Sequence, residues 1–227
     1  MSRNPDETSI SADETSISAD EASPEAARRR GEAAVAGHTG DEAAARAFFR
    51  DPDPGVRAAA LGALVRMGAA TPGDAARALS DPDARARRYA CELGATLPGA
   101  DFGALLSDPD ETVLEAACFA AGEVRDSRAV PTLVEIATGH PDALCRESAV
   151  AALGAIGERG GMPAVIAALE DKPQVRRRAA VALAVFDHPD AEAALRRCLK
   201  DADWQVRQAA EDILGVSGTA DWPETTG

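Results

Sequence analysis

Aromatic side chains are scarce in this 227-residue chain: five Phe, two Trp and one Tyr, 4% of the whole. Val, Ile and Thr are scattered rather than gathered into runs, which argues against an all-β or a doubly wound α/β domain. No apolar stretch approaches the roughly 18 residues of a membrane span, so no membrane partner is expected. The opening MSRNPDETS has neither a basic n-region nor an apolar h-region. A cytoplasmic chain without a signal peptide is the expectation. Cysteine is limited to four residues, with no CxxC and no close Cys/His grouping, which fits neither a disulfide framework nor a zinc site. Lysine is nearly missing, with Lys172 and Lys200 beside 22 Arg. Acids outnumber bases 38 to 24, a net charge of −14 that should repel a phosphate backbone, so nucleic acid is not expected as a partner.

Alanine is what the chain has in excess, 52 residues or about 23%. Alanine is the best helix former, and a core made of it brings helices close together. The charge is uneven: residues 1–25 carry seven acids against Arg3, leaving 31 acids and 23 bases elsewhere. The head contains DETSISA twice in tandem, at 6–12 and 13–19. It is too polar to offset the entropy of ordering, so residues 1–23 are expected to be a disordered acidic tail. Thr8 and Thr15, each after Asp-Glu in that tail, are candidate phosphorylation sites. Ser23-Pro24-Glu25 reads as a helix start, with Ser as N-cap and Pro at the first helical position. Residues 24–37 are expected to form an N-terminal capping helix. Residues 216–227 are expected to be a flexible tail containing Trp222, while Trp204 is expected to cover the end of the core.

From residue 41 onward a motif recurs: DPDPGVRAAALGAL (51–64), DPDARARRYACELG (81–94), DPDETVLEAACFAA (108–121), HPDALCRESAVAAL (140–153), DKPQVRRRAAVAL (171–183) and DADWQVRQAAEDIL (201–214). The residue after the apolar anchor is Arg57, Arg87, Leu114, Arg146, Arg176 and Arg207, at spacings of 30, 27, 32, 30 and 31. Shorter apolar helices are expected before each copy, at 41–50, 73–80, 100–107, 128–138, 161–170 and 190–200. A period near 30 residues means a solenoid. Asp51, Asp81, Asp108 and Asp201 open the turns and the recurrent Arg can reach them, so an Asp–Arg ladder is expected along the stack, broken at Leu114.

The run Asp-Pro-Asp-x-x-Val-Arg-x-x-Ala-Ala-x-x-Leu-Gly resembles the short HEAT-like repeat, of the type found in phycobilisome lyases. The resemblance covers residues 41–215 and implies an all-α, right-handed α-solenoid of about six helical pairs, occupying 24–215 with its capping helix. It is specific for fold and unspecific for function. HEAT-like deoxyhypusine hydroxylases bind iron through His-Glu dipeptides, and this sequence has none. No Gly-rich phosphate loop follows a strand, and His140-Pro141-Asp142 and His188-Pro189-Asp190 read as turns. No catalytic residue, metal or cofactor is expected.

The remaining candidate is surface. Positions 2, 5, 6 and 9 after each anchor are expected to face a concave groove, placing Arg88, Glu92, Glu115, Cys118, Phe119, Glu147 and Arg177 there, with Leu61, Cys91 and Val150 in register. Such a groove suits another protein or peptide with basic and apolar residues. The expectation is a monomeric, non-enzymatic interaction scaffold or adaptor. The alternative, implied by the resemblance, is an accessory or chaperone-like subunit of a lyase or protein-modification system.

Overall fold

Asp-Pro-Asp turns are where this chain converts its period into structure. In the computed structural model, which describes residues 23–216, the chain forms α1 (Pro24–Thr39), α2 (Glu42–Phe48), α3 (Pro54–Arg66), α4 (Pro72–Leu79), α5 (Ala84–Glu92) and α6 (Glu111–Glu123). It continues through α7 (Val130–Gly139), α8 (Ala143–Ile156), α9 (Met162–Ala167), α10 (Pro173–Leu183), α11 (Pro189–Cys198) and α12 (Trp204–Leu214). No strand occurs among the described residues. The proposed tails, with Thr8, Thr15 and Trp222, lie outside the described residues.

The second helices of the pairs stack in series, α3 on α5, then α6, α8, α10 and α12, and α1 extends the row by packing on α3. The first helices α2, α4, α7, α9 and α11 flank them. Anchors Val56, Val113, Val175 and Val206 are all fully buried, and one continuous apolar core runs from Ala33 to Ala210. The helix expected at 100–107 is instead a 3-10 turn, Gly103–Ser107. This is the pair with the 27-residue spacing, about one helical turn short of its neighbours, and Pro98-Gly99 with Gly99 at φ 65° takes up chain that a helix would need. Helix α1 runs past the expected end at Gly37, which is buried, and stops at left-handed Gly40. Trp204 is 64% exposed in the first turn of α12 and does not cover the core end.

The two aspartates of an Asp-x-Asp turn have separate tasks. The second one caps the helix: Asp53 accepts from the Val56 amide at 3.0 Å, and Asp83, Asp110, Asp142 and Asp203 cap α5, α6, α8 and α12 in the same way. The first accepts the amide of the second, as Asp81 does from Asp83 at 2.9 Å, and leaves its carboxylate free for the preceding pair. Arg57 donates through Nε and Nη2 to both oxygens of Asp81, at 2.8 and 2.6 Å, while its Nη1 donates to the carbonyls of Asp51 and Pro52. Arg87 grips Asp108, Arg146 grips Asp171 and Arg176 grips Asp201 with the same fork. Arg29 of α1 starts the series on Asp51. Arg207 ends it, bonded to the carbonyls of its own turn.

The break expected at Leu114 is present and is matched across the joint. Leu114 is buried, and the position that would receive its fork is His140, whose Nδ1 accepts the Asp142 amide in place of a carboxylate. The forks on Asp108, Asp171 and Asp201 hold these carboxyls below their usual range. A carboxyl lowered on folding contributes stability above its unfolded value, about 3.9, and that contribution is lost as pH falls through the folded value.

Small residues let the second helices approach one another. A Cβ on Gly154 would stand 2.6 Å from the Ala182 Cβ and 2.9 Å from its Cα, and one on Gly122 would stand 3.0 Å from the Ala152 Cα. Gly154→Ala is therefore expected to cost about 1–3 kcal/mol of overpacking in urea unfolding. Gly31→Ala in α1, with nothing within 4 Å of its Cβ, should instead gain about 0.5–1 kcal/mol from helix propensity. Equal responses at the two glycines would contradict this packing.

Candidate functional site

Between α5 and α10 the second helices enclose an open cleft of about 890 Å³. Arg88 and Glu92 of α5 form one end, joined by an ion pair at 2.8 Å. Helix α6 supplies Glu115, Phe119 and Glu123, and α8 supplies Leu144, Ser148, Ala151 and Ala155. At the other end Arg178 of α10 donates to Glu147 of α8 at 3.2 Å. Two of the four lining glutamates are thus neutralised. Glu115 and Glu123 have no ion-pair partner among the described residues. Phe119 is 59% exposed and Leu144 52% exposed, so large apolar groups stand open beside unneutralised acid.

The structure brings together five of the seven expected groove residues: Arg88, Glu92, Glu115, Phe119 and Glu147. Cys118 is a correction. It is fully buried, as are Cys91 and Val150 at the same place in their repeats, and Leu61 is 1% exposed. Each second helix packs on two neighbours as well as on its own first helix, so its buried arc is wider than one stripe and takes in the fifth position. Arg177 also falls outside the cleft lining, bonded to Gln205 of the last pair at 3.1 Å, and the arginine that reaches the cleft is its neighbour Arg178. Sequence reasoning missed Glu123, Leu144 and Ser148. The cleft stripe runs one residue before the anchor and then two, three, six and ten after it, a helical face turned from the one assumed.

The motif's likeness to known proteins agrees with this architecture. The profile of the HEAT repeats family matches residues 100–172 and 162–224, together more than half of the chain. The chain belongs to the HEAT-repeat family. The complex of CpcE and CpcF of phycocyanin lyase from Nostoc sp. PCC7120 is similar, with a TM-score of 0.56 and 25% identity over 77% of this chain and 76% of that one. Human deoxyhypusine hydroxylase in complex with glycerol is similar at a TM-score of 0.46 and 23% identity, over 82% and 78%. A designed armadillo repeat protein in complex with the peptide (KR)4 has a TM-score of 0.46 and 16% identity, over 84% and 91%. No curated protein matches the chain.

The chemistry of this HEAT-repeat chain's cysteines follows from their packing. Cys91, Cys118, Cys145 and Cys198 are buried and unpaired. Burial pushes the Cys91 and Cys118 thiols up to about 12 and Cys145 up to about 11. They stay protonated at neutral pH, and Cys145 donates to the Glu111 carbonyl at 3.7 Å, tying α8 to α6. No group of His, Cys, Asp and Glu among the described residues is placed to hold a metal ion. A thiol reagent at pH 8 should therefore modify the folded chain at least roughly a hundredfold more slowly than the unfolded one. Rapid labelling of Cys118 in the folded chain would instead place it on the cleft surface.

Proposed function

We propose that this HEAT-repeat protein is a non-enzymatic scaffold or adaptor that holds a segment of a partner protein in the α5–α10 cleft. The observation that carries this reading is the pairing of exposed Phe119 and Leu144 with the unneutralised Glu115 and Glu123. Apolar area supplies affinity, and acids beside it select cations over anions. The segment accordingly carries basic and apolar residues. Nucleic acid is disfavoured in the same place, because Arg88 and Arg178 are each committed to a glutamate and form no continuous basic stripe.

A second reading takes its support from the phycocyanin lyase complex, whose likeness spans 77% of this chain. On that reading the protein is an accessory or chaperone-like subunit of a lyase or protein-modification system and assembles with a second protein. Mixing with bilin separates the two: a visible absorbance change favours the second reading.

Affinity purification from the source cells should recover partners with the natural chain that Glu115→Lys/Phe119→Asp loses, with both proteins melting cooperatively. An unchanged partner set would contradict the cleft as the binding surface.

A further inference from the structure

We infer that the occupant of the cleft is one helix of a partner protein, lying along α6 and α8, with cations seven or eight residues apart and an apolar residue between them. This rests on the cleft being the binding surface, as proposed above. Glu115, Phe119 and Glu123 stand four residues apart in turn and so form one stripe along α6. The two acids are separated by about 12 Å of helix rise, with the phenyl ring midway. A partner helix spans that distance in seven or eight residues, which returns both cations to one face, with its apolar residue over Phe119.

The opposite wall fits the other side of such a helix. Leu144, Ser148, Ala151 and Ala155 run along α8 as an uncharged and mostly small row, allowing close approach. The backbone argument favours a helix over an extended peptide. An extended chain would bring unpaired amides and carbonyls against Phe119, Leu144 and alanines that cannot satisfy them, whereas a helix satisfies its own. The cleft reaches across α5, α6, α8 and α10, several helix spacings of about 8–10 Å, which admits a helix of about 10–12 Å diameter.

Charge complementarity assigns the seat to a partner rather than to this chain's own ends. Residues 1–22 hold six acids and only Arg3, and residues 217–227 hold Asp221 and Glu224 with no base. Both ends carry the sign of Glu115 and Glu123 and are repelled by them.

Two fluorescent peptides of about 18 residues and equal composition test the inference by anisotropy on the full chain. One places two Lys seven apart with Leu between them on the same helical face. The other re-spaces these residues as Lys-x-Leu-x-Lys for an extended chain. The helical-register peptide should bind at least about tenfold more tightly and gain helical circular dichroism on binding. Glu115→Lys/Glu123→Lys should weaken it by about tenfold or more, and a peptide with Glu in place of both Lys should recover that loss on the double variant. Equal binding of the two peptides, or tighter binding of the extended one, would overturn the helix register while leaving the cleft reading intact. A dimer in sedimentation that the double variant dissolves would overturn it by giving the seat to a second copy. Failure of both peptides, together with unchanged partner capture by Glu115→Lys/Phe119→Asp, would remove the cleft reading as well.

Discussion

The forked bond that Arg57, Arg87, Arg146 and Arg176 each make to the first aspartate of the next turn is what the rest of this structure depends on. It joins adjacent pairs in the stack, and the same guanidinium fastens its own turn through two carbonyls. The side chains are largely enclosed, 14% and 4% exposed for Arg87 and Asp108, so solvent screening is reduced relative to a surface pair. The planar fork is what lysine lacks, and four of the six positions use it, at Arg57, Arg87, Arg146 and Arg176. With the turn locked, the second aspartate is placed to cap the following helix, and the cap in turn fixes where the buried anchor falls.

The cleft lies where this device is interrupted. Between α6 and α8 there is Leu114 on one side and His140 on the other, and the joint is held by apolar packing, by Gly122 against Ala152 and by the Cys145 thiol on the Glu111 carbonyl. His140 keeps the turn closed through its ring nitrogen, which accepts the Asp142 amide, but offers no pair of oxygens for a fork. Phe119 and Leu144 stand open at that same joint.

The period, the anchor column and the ladder were legible in the sequence because each is a repeated local pattern that the solenoid uses unchanged. The division of labour within Asp-Pro-Asp was not, since both carboxylates lie near the helix start and only backbone geometry decides which one caps. The third pair's missing helix was concealed in plain spacing: the 27-residue interval pointed to a loss without saying which helix would shorten. Cys118 was misplaced because a single-stripe view of a helix ignores its two stacked neighbours, and Arg177 because its side chain reaches on to Gln205 of the last pair and not back into the cleft. Glu115, Phe119 and Glu147 were found because they stand two or six residues after the anchor, positions that the assumed face and the cleft stripe share.

A double-mutant cycle on one rung tests the central claim most directly. Arg146→Ala, Asp171→Ala and the double variant would be compared by urea unfolding. The forked geometry predicts a coupling of about 1–3 kcal/mol, between exposed and buried ion pairs. A coupling below about 0.3 kcal/mol, the level of unconnected sites, would contradict the ladder as the element that holds the stack.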